Sequence, residues 1–321
     1  MDKGDKYFNE IVNNGINFIN KAISELRDEK VEEKERLKYS TIHLYQGIEL
    51  LLKSILIREH WSLIILNVDK CNLKDYERGK FYSVRYDTII TRLENCCDIK
   101  IDRKTDLAFR ELKDLRNKYI HFYCNEYESK PAVINVQYKA WHYIFLLIQK
   151  IPKVFNRVVI ERLEKIEEEM LKNKQFVDVR FKEIKPILEQ KQKEGIRIYT
   201  CPFCNKDSIY FDSMEVKWVC LVCNKDYNPY DLAHKIYDLK YHPKHNPDFR
   251  IGNCGKCDGI ETVVPEESMG GNEGKYLCLN CEREWDKSDS DCCSTCGGFF
   301  FGEKLEAGMC HQCWINLINK D

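Results

Sequence analysis

Chain breakers are scarce in the first part of this sequence. Residues 1–199 hold five glycines and three prolines, against ten and five in residues 200–321. That scarcity excludes a loop-rich fold there and leaves room for long helices. Long apolar runs are missing too. The stretch Ile48–Ile57 already contains Glu49 and Lys53, and it is too short to span a bilayer, so no membrane-spanning segment is expected. Met1–Asp5 leads straight into a charged amphipathic helix rather than the apolar core of a secretory signal, which leads us to expect a cytoplasmic, reducing setting. Net charge is nearly absent, at −1 over 321 residues, but the near-zero value conceals two opposed parts. Residues 1–199 carry 38 Lys+Arg against 32 Asp+Glu, and residues 200–321 carry 13 against 20. One boundary near Gly195 accounts for both the charge shift and the Gly/Pro shift, and the length suffices for two or three domains with a sizeable core.

What the second part has is cysteine. Thirteen of the 17 cysteines follow that boundary, and twelve of those form six C-x-x-C pairs. They run Cys201/Cys204 with Cys220/Cys223, Cys254/Cys257 with Cys278/Cys281, and Cys293/Cys296 with Cys310/Cys313. The gaps of 15, 20 and 13 residues between paired knuckles suit four-cysteine zinc ribbons, because two thiolates on one tight turn can grip a tetrahedral ion. The residue after a second cysteine often needs positive φ, which Asn205, Asn224 and Gly297 tolerate. Six pairs in series argue against redox use; iron–sulfur ligation is the smaller alternative. With sulfur at all four positions no site is left for water, so three structural zinc ions are expected and no catalytic one. Cys292 could exchange with Cys293, and His311 reads as a knuckle residue. The −7 balance of this part argues against a broad phosphate-binding face. The aromatics Phe299–Phe301, Trp285 and Trp314 are expected to pack the small modules or to dock a protein.

The first part reads as helices. Apolar stripes mark residues 6–27 (Phe8, Ile11, Ile16, Ile19, Ile23, Leu26) and 32–59 (Leu37, Tyr45, Ile48, Leu51, Leu52, Ile55). A loop covers Ser62–Ser83, a short helix ends near Cys97, and Pro131 opens a long helix through Ile151. Residues 158–194 continue as charged helix, broken near Pro186 and stopped by Gly195. Domains are thus expected at 1–155, with a helical extension at 156–195, and ribbons at 196–240 (with a helix at Tyr230–Leu239), 250–286 and 290–318. A polar linker covers Tyr241–Asp248.

The helix from Arg103 carries the candidate chemistry. Ala108, Leu112, Leu115, Tyr119 and Phe122 form its buried stripe, while Arg116, Asn117, His121 and Tyr123 crowd its last two turns. Arg116 and His121 stand about 140° apart at roughly 100° per residue. Spacing alone decides little, since composition yields roughly one Arg–x4-6–His match per chain by chance. A second match does occur, Arg36 with His43, on the second helix.

The position of Arg116-Asn117 and His121 at the end of the fourth helix resembles the HEPN superfamily, whose fold is a bundle of four or five helices. The stretch Gly47-Ile48-Glu49-Leu50-Leu51-Leu52-Lys53, an acid inside an apolar run on the second helix, strengthens the resemblance over residues 5–155. The family does not place its site where Arg36 and His43 lie. The resemblance implies a metal-independent endoribonuclease working as a homodimer, with the site at the two-fold axis. Arg116 would stabilise the phosphorane, His121 would move a proton, and Asn117 would orient either. A 2′,3′-cyclic phosphate and a 5′-hydroxyl would be the products. An imidazole near neutral pKa and a bidentate cation suit that reaction. The string Arg-x4-His-x-Tyr also resembles HEPN toxins silenced by adenylylation of the tyrosine, which would make Tyr123 a modification site and imply a toxin or anti-phage role with an antitoxin or other protein partner at the ribbons. The alternative is a non-catalytic adaptor presenting zinc ribbons to protein or RNA.

Overall fold

The computed structural model describes residues 3–121, 130–240, 251–257, 259–302 and 305–318. Tyr123, Phe122 and the polar linker at 241–248 lie outside the described residues. A helical region comes first and a sheet-rich region with the cysteine clusters follows, with ten α-helices among the described residues. The chain divides into two compact units, Met1–Arg180 and Phe181–Asp321. No helix among the described residues is long and apolar enough to cross a membrane.

In the first unit α1 (Lys3–Arg27), α2 (Glu33–Glu59), α4 (Tyr86–Cys97), α5 (Arg103–His121) and α6 (Lys130–Lys150) enclose one apolar core. The stripes are the cause: Phe8, Val12, Ile16 and Ile19 of α1 are buried, as are Leu44, Ile48, Leu51, Leu52 and Ile55 of α2. α1 and α2 approach most closely at two glycines. A Cβ on Gly47 would stand 2.5 Å from Ile19 Cγ1 and 2.8 Å from Gly15 O, so only hydrogen fits there. The segment expected as a loop from Ser62 holds two short 3-10 turns and α3 (Leu73–Glu77). Asn72 caps α3, its Oδ1 accepting from Asp75 N at 2.9 Å. α4 ends on Asp98 in the left-handed region at φ 54°.

The core does not stop at residue 155, where sequence reading put the boundary. Val159, Leu163, Ile166 and Met170 of α7 (Arg157–Leu171) belong to it, with Phe176 and Val179 of α8 (Lys174–Lys193). The charges of 158–180 cover the solvent face of helices whose other face is core. The break also falls elsewhere. It comes at Asn173, whose Oδ1 accepts from Gln175 N at 2.9 Å to start α8, while Pro186 stays inside that helix. Gly195 does end α8, with φ 84° and Ile196 N donating to Lys191 O at 3.0 Å. One buried polar group holds this end together. Glu167 pairs with the fully buried Arg180 and accepts Trp141 Nε1–H at 2.7 Å. Beside them burial, helped by Arg180, pushes the His142 imidazole down to about 3, so it stays neutral.

The second unit is sheet-based. β1 (Tyr199–Thr200), β2 (Asp207–Asp212), β3 (Lys217–Cys220) and β4 (Lys225–Tyr227) form an antiparallel sheet in chain order. α9 (Pro229–Lys240) follows, capped by Asn228 Oδ1 accepting from Asp231 N at 2.8 Å. The remaining strands are β5 (Gly252–Cys254), β6 (Gly259–Pro265), β7 (Lys275–Cys278), β8 (Glu284–Asp286), β9 (Ser290–Cys292) and β10 (Phe299–Phe301), followed by α10 (His311–Ile318). These six strands make one sheet, ordered β8-β7-β6-β5-β10-β9, in which β10 runs parallel to β5. The second and third cysteine modules therefore share a sheet rather than standing apart. The join depends on a glycine, since a Cβ on Gly252 would come within 2.4 Å of the Phe301 ring. The first module also packs on the second: the buried Trp218 donates its Nε1–H to Leu279 O at 2.7 Å, and Tyr199 OH donates to Glu282 Oε1 at 3.1 Å. Of the aromatics singled out in sequence, Phe301 is core and Trp285 and Phe299 pack against it.

Candidate metal centres and the polar end of helix α5

Five of the C-x-x-C pairs lie on turns and the sixth, Cys310/Cys313, lies at the start of α10, and each aims two sulfurs at a common point. In three of the knuckles the first cysteine's carbonyl accepts the amide four residues on: Asn205 N to Cys201 O at 2.9 Å, Glu282 N to Cys278 O at 2.9 Å, Gly297 N to Cys293 O at 2.8 Å. Asn205, Asn224 and Gly297 all adopt positive φ (54°, 52° and 70°), as sequence reading expects, and so does Glu282 at 52°. Two such pairs then face each other.

The result is three groups of four sulfurs: Cys201, Cys204, Cys220 and Cys223; Cys254, Cys257, Cys278 and Cys281; Cys293, Cys296, Cys310 and Cys313. Within each, all sulfurs lie within 4.8 Å of one another. Across the pairs Cys201 and Cys223 are 3.8 Å apart, Cys204 and Cys220 3.9 Å, Cys257 and Cys278 3.6 Å, Cys254 and Cys281 4.0 Å, and Cys296 and Cys310 3.9 Å. A tetrahedral ion with bonds of about 2.3 Å to sulfur needs edges of about 3.8 Å. The clusters fit that group, and they could hold three metal ions such as zinc. A disulfide would need sulfurs at about 2.0 Å, and these cysteines are free thiols.

Donors to sulfur complete the sites and were not legible from spacing. The Ser208 hydroxyl lies 3.3 Å from Cys220 Sγ and 3.5 Å from Cys204 Sγ, Asn280 Nδ2 donates to Cys257 Sγ at 3.4 Å, and Thr262 Oγ1 is 3.7 Å from Cys278 Sγ. In the third group the backbone amide of Cys310 donates to Cys293 Sγ at 3.3 Å, the kind of donor that steadies a thiolate ligand. Cys293 rather than Cys292 is the member of that group. Cys292 is exposed on β9, and His311 is exposed at the start of α10.

At the end of α5 the buried stripe is Ala108, Phe109, Leu112 and Leu115, with Tyr119 half-buried. Arg116 and Asn117 are half-buried and His121 is exposed. Arg116 Nη1 donates to Asn117 Oδ1 at 2.8 Å, and its guanidinium lies over the Tyr45 ring, 5.4 Å from the centroid. Tyr45 itself is buried on α2; burial first, then the charge and hydrogen bond of Glu49, push its phenol far above the ordinary range. Glu49 is in turn paired with Lys53. Arg116 thus makes no ion pair among the described residues. Arg110, two turns earlier, is the contrast, holding Asp106 at 2.9 Å and Asp87 at 2.7 Å. Nothing local to α5 marks Tyr45 as Arg116's support, although its spacing of four from Glu49 puts both on one face of α2.

The second Arg–His match is used structurally. Arg36 Nη1 donates to Leu26 O at 3.4 Å, and the His43 ring packs on Phe18 at 5.9 Å, with burial pushing its pKa down. No family model, no curated protein and no solved structure matches this chain.

Proposed function

We propose that the helical unit is a HEPN-type, metal-independent endoribonuclease that works as a homodimer, and that the cysteine clusters are structural zinc ribbons that sense or tether a partner. The observation that carries the reading is the state of Arg116. Its guanidinium is braced by Tyr45 and Asn117 but meets no carboxylate among the described residues, and the exposed imidazole of His121 lies on the next turn of the same helix. A cation braced by a ring and an amide suits the charge that builds on a phosphorane, and a solvent-reachable imidazole suits transfer of the 2′-hydroxyl or leaving-group proton. Two copies of α5 at a two-fold axis would bring both groups to one phosphate from opposite sides. The role suggested is growth arrest or anti-phage defence.

The test is cleavage of RNA by the full-length protein, with products examined for 2′,3′-cyclic phosphate. Arg116→Ala and His121→Ala should each lower turnover by about 10²–10⁴-fold while folding and dimerisation persist. Mixed dimers of the two variants should recover activity if one site takes Arg116 from one chain and His121 from the other. Full turnover in either variant overturns the assignment. RNA bound but uncut by the wild-type chain favours the adaptor reading instead.

A further inference from the structure

The second unit contains an open groove of about 580 Å³ between the chain leading into β1 and the turn after β6. One wall is the segment 195–200, whose half-buried Ile196 and Ile198 lead into the buried Tyr199. The other is the short 3-10 helix Glu266–Met269 with the glycines that follow. Those glycines shape the groove. A Cβ on Gly270 would fall 2.1 Å from Thr200 Oγ1, and one on Gly271 would fall 2.3 Å from Glu266 Cγ. A larger residue at 271 would displace the Glu266 side chain.

Glu266 is the reason to expect a ligand. It is 7% exposed, and its Oε2 has no hydrogen-bond partner among the described residues. A carboxylate taken from water without a partner is costly unless a cation arrives to meet it. None of the groove's own groups does so. Its guanidinium, Arg197, is used by Glu284 at 3.0 Å and by Glu282 O at 2.8 Å. Asp207 accepts the Thr200 hydroxyl at 2.6 Å. Three carboxylates against one guanidinium make the groove acidic, within a unit whose residues 181–321 carry 18 Lys+Arg against 23 Asp+Glu.

We propose that this groove binds a lysine or arginine side chain on an extended peptide segment, with Glu266 as the counter-ion. The groove is larger than an ammonium group needs, and its Ile196, Ile198 and Met269 walls suit an aliphatic stem leading to a charged tip. β1 is an edge strand of its sheet, where an extended segment finds backbone groups to pair with. The proposal stands independently of the ribonuclease reading, which concerns the other unit.

The probe is a fluorescein-labelled pentapeptide, Ala-Ala-Lys-Ala-Ala, capped at both ends, titrated into the zinc-loaded full-length chain. Replacing its lysine by glutamine should weaken binding by about tenfold or more, as loss of a charge-assisted contact does. Glu266→Gln should abolish that discrimination. Asp207→Asn, at the exposed wall, should reduce it by about threefold, which keeps the test open if Glu266→Gln loses its zinc. Carbodiimide coupling, which joins a carboxylate to an amine in contact with it, should link the peptide lysine to Glu266 or Asp207. Equal affinity for the two peptides, couplings spread over exposed acids such as Glu215 and Glu273, or displacement of the peptide by calcium at matched ionic strength would each overturn the proposal.

Discussion

The two units reach stability by different means. In Met1–Arg180 the buried set is dominated by aliphatic and aromatic side chains from helices as long as 27 residues, and one continuous cluster joins α1 to α8. In Phe181–Asp321 the strands are two to seven residues long, and seven cysteines of the four-sulfur groups are among the buried residues. Helices of that length satisfy their own backbones and need only one apolar face against a neighbour. Strands so short bury little, and their sulfurs gain most when an ion holds them. The difference teaches where each unit is vulnerable: the first through packing, the second through its ligands.

The largest effect should come from Cys254→Ser with Cys257→Ser. Structural zinc contributes about 10–16 kcal/mol of folding energy to isolated fingers, so the middle module should unfold while the helical circular dichroism of the first unit persists. Because β5 pairs with both β6 and β10, the third module should loosen as well, and bound zinc, measured by mass spectrometry, should fall by more than one ion. Loss of one ion with the third site intact would show the shared sheet to be dispensable. No zinc, or a coloured iron cluster, would remove the ribbon assignment.

Next is Gly47→Ala, which strikes the first unit alone. Its methyl group meets Ile19 and the Gly15 carbonyl, and overpacking of that kind costs about 1–3 kcal/mol. Denaturant unfolding should shift for the helical transition and leave zinc content unchanged. Equal shifts in both transitions would make the two units one cooperative body.

Tyr45→Leu tests the support of Arg116. Loss of a cation–π contact of about 0.5–2 kcal/mol should lower turnover of RNA by a few-fold to about thirtyfold, with Tyr45→Phe close to wild type. Equal losses in both variants would point to the hydroxyl and its Glu49 bond rather than the ring.

The effect that vanishes at neutral pH concerns acid. His142 is held neutral in the fold down to about 3, whereas in the unfolded chain it takes a proton below about 6.5. The unfolded state therefore binds more protons between those values, and stability contributed by the neutral ring is full above about 6.5 and is lost as pH falls. One group adds at most about 1.4 kcal/mol per pH unit to that slope. His142→Leu should flatten the acid limb of the first unit. An unchanged slope would mean that the imidazole gains a proton inside the fold.

The fold was legible where one period or one ligand spacing dominated. The stripes of α1, α2 and α5 and the twelve paired cysteines were such cases, because helical burial and tetrahedral ligation each impose a local rule. Charged segments misled. The stripe Val159, Leu163, Ile166, Met170 is present in the sequence, but the charges around it suggest a solvated extension, and the helix breaks at Asn173 rather than at Pro186. The candidate site was half legible: Arg116, Asn117 and His121 follow from the chain, while Tyr45 reaches Arg116 only through the packing of α2 on α5.

Sequence alone therefore determined which residues can bind metal and which faces must be buried, since both depend on neighbours within a few positions. Tertiary structure alone decided that β10 joins β5, that Trp218 meets Leu279, and that Asp87 reaches Arg110 while Arg116 finds no carboxylate among the described residues. Each of these depends on groups brought together from distant stretches, and no local pattern encodes that distance.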